Sequence, residues 1–128
     1  NPKIKKMTEE KKPYDLRERM LLFAKRILEI CNMLPPSPEC GRIRGQLGGS
    51  GTSAGANYEE ADGTVTKKDF LNKLVISRKE AKEARYFLRV ISGTYLEPAT
   101  IAKDIRESEE IINILSSIIN KSTGGKRT

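Results

Sequence analysis

Three stretches of this chain carry apolar residues at alternating intervals of three and four, and that period admits little but helices. The first stretch sets Leu16, Met20, Phe23, Ile27, Ile30 with Cys31, and Leu34 on one face. A later one repeats Phe70, Leu74, Ser77, Ala81, Ala84, Leu88 and Ile91, and the last repeats Ile101, Ile105, Ser108, Ile112, Leu115 and Ile119. At about 100° per residue each set is a single stripe along a helix, whereas a half-buried strand alternates with period two. The ends are marked too. Asp15 with Glu18 reads as an N-cap, Pro35-Pro36 stops the first helix, and Thr66 with Asp69 is a capping-box variant. Gly93 follows the third stripe and Pro98 stands in the first turn of the fourth. Small residues at Ser77, Ala81, Ala84 and Ser108 let neighbouring helices approach closely.

The stretch between the first and third stripes reads less simply. Gly41, Gly45, Gly48, Gly49, Gly51 and Gly55 fall within it, and each costs a helix interior about 1 kcal/mol relative to alanine. Propensity alone says loop. Against that, Ser37-Pro38-Glu39 is a good helix start, and the small residues at 41, 45, 48, 52 and 56 share one helical face, as close helix packing requires. A structureless loop of about 25 residues is also uncommon in a small domain. On the residues alone, helix and loop both stand.

A chain of 128 residues is sized for one core. Leu, Ile, Val and Phe make up just under a quarter of it, enough for that core with little to spare. Residues 1–13 hold five lysines and two glutamates with almost nothing apolar, which reads as a disordered basic arm; 14–122 is the folded unit and 123–128 a short flexible tail. The longest uncharged stretch, Gly45 to Tyr58, is glycine- and serine-rich and far short of the roughly 20 apolar residues of a membrane span. No signal-peptide pattern opens the chain, so the expected location is the cytoplasm. With no histidine, the Ser-His-Asp and Cys-His nucleophile pairs and imidazole metal sites are excluded. Cys31 and Cys40 are expected as reduced structural thiols, with a disulfide across the intervening turn as the alternative.

The run Gln46-Leu47, then Ser50-Gly51-Thr52-Ser53-Ala54-Gly55-Ala56-Asn57-Tyr58-Glu59-Glu60-Ala61, resembles the second-helix motif of the 23S rRNA intervening-sequence proteins, also called four-helix-bundle proteins. Tyr14-Asp15-Leu16 with Phe23-Ala24 is similar to that family's opening, and Lys79-Glu80-Ala81-Lys82-Glu83-Ala84-Arg85-Tyr86-Phe87-Leu88-Arg89 to its third helix. The resemblance covers about residues 14–122. It implies an all-α fold, an antiparallel up-down-up-down four-helix bundle, and assembly into ring-shaped homopentamers. It also implies kinship with the accessory proteins that act beside the reverse transcriptase of diversity-generating retroelements. Gly48-Gly49 depart from the family pattern, which carries larger helix formers there, and mark the weakest point of the second helix. With that helix included, the predicted spans are 16–34, 38–61, 67–92 and 98–121, about 29 to 39 Å long and well matched for one bundle.

The formal net charge is +7, and residues 64–93 alone carry +5 while 35–63 carry −2. In the third helix Lys67, Arg78, Lys82, Arg85 and Arg89 fall within an arc of roughly 60° beside the apolar stripe. A line of cations suits the phosphates of RNA or DNA. The alternative is a face that is solvated or paired internally, with Glu80, Glu83, Glu107 and Glu110 as partners. Tyr58, Tyr86 and Phe87 are the only candidates for base stacking, and packing or subunit contact is the favoured account of each. The glycine run at 48–53 is not a phosphate loop, since no strand precedes it and no Gly-Lys-Ser/Thr closes it. Glu59, Glu60, Asp62, Glu80 and Glu83 lack a metal-ligand spacing and read as solvated acids.

The fourth helix carries Ile111, Ile114 and Ile118 outside its stripe, widening the apolar arc to about 180° where one core needs about 100°. A neighbouring subunit is the expected cover. The expectation is therefore a non-enzymatic, oligomeric helical bundle without metal or cofactor that offers the basic face of its third helix to RNA or a ribonucleoprotein. The rival is a protein-binding scaffold or accessory subunit without direct nucleic-acid contact.

Overall fold

In the computed structural model, which describes residues 15–123, the chain forms α1 (Leu16–Asn32), α2 (Pro38–Ala61), α3 (Lys67–Ile91) and α4 (Pro98–Ser122), with no strand among the described residues. The basic arm 1–13, Tyr14 and residues 124–128 of the tail lie outside them. Each helix sits where the sequence pattern places it, with ends displaced by two residues at most. Three of the four starts are capped by side chains: Asp15 accepts from the Arg17 N–H at 3.0 Å, Ser37 from Cys40 at 3.1 Å and Thr66 from Asp69 at 3.1 Å. The start of α4 has no side-chain cap and relies on Pro98 in its first turn. Gly93, at φ +79°, makes the left-handed exit from α3.

Helices adjacent in sequence pack against each other, α1 also meets α4, and the two diagonal pairs make no close backbone approach. Contacts along three of the four seams run in opposite directions on the two partners, and the fourth follows from them. Gly48, Gly51 and Gly55 of α2 face Cys31, Ile27 and Met20 of α1 in descending order. Ala54 and Glu60 of α2 meet Ser77 and Lys73 of α3. Arg19 and Arg26 of α1 reach Glu107 and Asp104 of α4. The connections 33–37, 62–66 and 92–97 are too short for anything but reversal between helices of this length. The bundle is all-α and antiparallel.

The glycine-rich segment is a continuous helix through Gly48-Gly49, but it packs differently from the sequence expectation. Gly41, Gly45 and Ala56 are exposed, and Gly48 and Thr52 half-buried, so the face of small residues at 41, 45, 48, 52 and 56 is not the packed one. What turns inward is Cys40, Leu47, Ala54 and Ala61, a strict seven-residue repeat, with Ser50 and Gly51 beside it. The close approach belongs to Gly51 and Gly55. A Cβ on Gly51 would stand 2.7 Å from Cγ2 of Ile27, and one on Gly55 3.4 Å from Cβ of Met20. On the other flank the buried Ser77 hydroxyl donates to the Ala54 carbonyl at 2.7 Å, satisfying itself across the α2–α3 seam. Ser77, Ala81, Ala84 and Ser108 are all fully buried, as close helix approach requires.

The α1–α4 seam is held differently. The Arg19 side chain, only 10% exposed, forks onto Glu107 with Nε at 3.0 Å and Nη2 at 2.6 Å, and reaches Glu110 at 2.8 Å. Hydrogen bonds from Glu107, then Glu110, hold the guanidinium above its usual pKa despite burial, so it is a fixed cation. Arg26 adds a pair with Asp104 at 3.1 Å. Cys31 and Cys40 are free and buried. Burial pushes the Cys31 thiol up, which leaves it a poor nucleophile.

Candidate nucleic-acid interface

The α3 stripe follows from helix geometry. Leu74, Ser77, Ala81, Ala84 and Leu88 are buried, and a cation one position after each of the last four, at Arg78, Lys82, Arg85 and Arg89, falls on the flank about 100° round. Lys67, Lys82 and Arg89 are exposed, while Arg78 and Arg85 are half-buried. From Lys67 to Arg89 the line runs about 33 Å at 1.5 Å per residue. Arg78 donates to the Ser116 hydroxyl of α4 at 3.2 Å, which shows that this flank borders the α3–α4 groove. Three and four residues from Ser116 on the same side of α4 stand the exposed amides Asn113 and Asn120, and one turn further back the exposed carboxylate Glu109.

The internal partners named for these cations are engaged elsewhere or absent. Glu107 and Glu110 hold Arg19. Every ion pair among the described residues uses Arg17, Arg19, Arg26 or Lys73. None of Lys67, Arg78, Lys82, Arg85 and Arg89 meets a carboxylate there. On α2 and its C-cap, Glu59 and Asp62 pair with Arg17, and Glu60 lies 2.5 Å from Lys73. Those acids are accordingly bundle-end ion pairs, and no group of three or more potential ligands converges on a metal-sized site among the described residues. Nor is any described helix long and apolar enough to cross a membrane.

The proposed subunit flank of α4 needs correction at one residue. Ile111 is fully buried within the single chain and belongs to the core. Since α4 packs against both α3 and α1, its wide apolar arc serves two intrachain neighbours. Ile114 and Ile118 are half-buried and packed on the same core. The exposed apolar surface that sequence reasoning missed is on α1 and its C-cap, where Leu21, Leu22 and Leu28 of the helix and Met33 just after it are each 42–50% exposed. A smaller set, Val75, Ile76 and Tyr86, lies on α3. The signal is in the sequence: Leu21, Leu22 and Leu28 fall outside the α1 stripe, which does not account for them.

Among the three aromatic candidates, Tyr58 and Phe87 are half-buried against the core, and Tyr86 is 63% exposed. Between α1 and α2 a shallow groove of about 240 Å³ runs past Leu21, Ala24, Thr52, Gly55 and Ala56, with Arg17 and Glu59 at one end.

Comparison with known proteins agrees with this architecture. The profile of the 23S rRNA-intervening sequence proteins matches residues 12–117. A crystal structure of a protein with unknown function from the S23 ribosomal protein family of Bacteroides thetaiotaomicron superposes with a TM-score of 0.75 at 35% identity, covering 81% of this chain and 97% of that one. No curated protein matches the chain. With four helices in this order and a family match across the bundle, the chain belongs to the 23S rRNA-intervening sequence protein family.

Proposed function

We propose that this protein is a non-enzymatic cytoplasmic bundle that binds RNA, free or within a ribonucleoprotein, through the α3 side of the α3–α4 groove. The observation that carries this reading is the line of five cations without a carboxylate partner among the described residues. Unpaired cations on a rigid helix are free to exchange small counterions for phosphates, and that exchange makes affinity fall steeply with salt. Titration of a labelled structured RNA should show a loss of tenfold or more between about 50 and 200 mM salt. Affinity indifferent to salt overturns the reading.

Self-association belongs to the same proposal. The exposed leucines of α1 give a second surface, separate from the basic line, and the family resemblance implies ring-shaped pentamers. Light scattering on the purified chain is expected to give roughly five times 14.3 kDa. A monomer at micromolar concentration defeats this part. If the pentamer forms but no nucleic acid binds, the protein is a scaffold whose exposed apolar and basic faces meet a partner protein.

A further inference from the structure

Tyr86 is the most exposed aromatic residue described, at 63%, and it borders the cationic line, about 40° round the helix from Lys82. Its helical neighbours at four residues before and three after are Lys82 and Arg89, both exposed members of the line. Phe87, half-buried against the core, meets its ring edge-on at 5.5 Å between centroids and 74° between planes. The phenol is thus backed by an anchored ring and directed outward, and its hydroxyl has no hydrogen-bond partner among the described residues. Tyr86 is not among the buried residues of the core, and most of its ring faces water next to two cations.

We propose that this face takes single-stranded nucleic acid, with one base stacked on Tyr86 and the adjoining phosphates held by Lys82 and Arg89. The inference rests on the nucleic-acid reading above and narrows its ligand. Phosphate contacts alone suit a duplex as well as a strand, since they read only the backbone. An aromatic platform is useful only where base faces are uncovered, and in a duplex they are stacked on one another. Cations that track the backbone with an aromatic beside them to take a base are the combination that single-strand binders use.

The test uses the full chain with three labelled probes of about twelve nucleotides, within the site sizes of such surfaces: oligouridylate, oligothymidylate and an RNA duplex. One or both single strands should bind more tightly than the duplex, and their ratio identifies the preferred sugar. Tyr86→Ala should weaken single-strand binding about tenfold, the stacking of one base, and leave duplex binding unchanged. Tyr86→Phe keeps the ring and should retain affinity. Equal loss for strand and duplex, or no loss for either, overturns the inference while salt-sensitive binding still supports the basic line. Absence of binding by the unmodified chain defeats both. A changed mass of Tyr86→Ala in light scattering makes Tyr86 a contact between copies, which also overturns it.

Discussion

Alanine at Gly51 is expected to destabilise the bundle by about 1–2 kcal/mol, while alanine at Gly49, two residues earlier, stabilises it by about 0.5–1 kcal/mol. Both are glycine-to-alanine changes inside one helix, so both remove the same backbone entropy from the unfolded chain. Their surroundings decide the sign. Nothing lies within 4 Å of a Cβ at Gly49, whereas one at Gly51 would meet Cγ2, Cγ1 and Cβ of Ile27 at 2.7, 2.8 and 3.0 Å. Ile27 is fully buried and branched at Cβ, so it cannot rotate away without clashing elsewhere. Overpacking of this kind costs about 1–3 kcal/mol, and the helix propensity gained returns up to about 1 kcal/mol. Urea midpoints with unchanged m-values measure both effects. A double-mutant cycle sharpens the first: with Ile27→Ala the two nearest atoms, Cγ2 and Cγ1, are gone and only Cβ at 3.0 Å remains, so adding alanine at Gly51 should then cost markedly less than in the parent chain. If Gly51→Ala stabilises in the parent chain, the α1–α2 approach is looser than the geometry described above.

These two glycines also show how far the sequence could be read. The stripes of α1, α3 and α4 were legible because Leu, Ile and Phe recur on one face and the caps agree with them. In α2 the burial is carried by Cys40, Leu47, Ala54 and Ala61, residues so small or so few that their seven-residue period is masked by the many other small residues of the segment. Glycine identity says only that backbones can approach; which glycines do so depends on the rotation of the helix, and that is set by the seven-residue repeat. Ile111 was misplaced for a related reason. An apolar arc of about 180° reads as surplus when one core is assumed, but a corner helix of a closed bundle faces two neighbours. The basic line itself was visible from spacing alone. Its lack of partners was not, because Glu107 and Glu110 reach α1, a long-range pairing through Arg19 that no local pattern reveals. The exposure of Tyr86 and the burial of Phe87 are likewise decided by helix rotation, since adjacent aromatics differ by about 100° in direction.

Reversing Arg78, Lys82 and Arg89 together to glutamate is expected to lower affinity for RNA by about a hundredfold or more at low salt and to flatten the salt dependence. Each phosphate contact contributes about 0.7 to the slope of log affinity against log salt for a single strand and about 0.9 for a duplex. Loss of three contacts should therefore reduce the slope by about two to three. The loss should be alike for all sequences, since backbone contacts carry no base information. None of the three is in an ion pair among the described residues, and only Arg78 has a hydrogen bond, to Ser116, so helical circular dichroism and the mass in solution should be retained. Arg85 is left in place because it is half-buried beside the seam and its reversal risks the packing. Antiparallel topology puts Asp15 and Thr123, the first and last described residues, at the end of the bundle where Lys67 begins the line. The five lysines of 1–13 precede Asp15 in the chain, and a basic segment produces salt-sensitive binding unaided. Deletion of 1–13 is therefore measured alongside the triple reversal. Residual affinity after deletion that the reversal then removes assigns the binding to α3. A triple variant that stays folded and loses no affinity, with or without the arm, makes the line a solvated or protein-facing surface and ends the nucleic-acid reading for the folded domain.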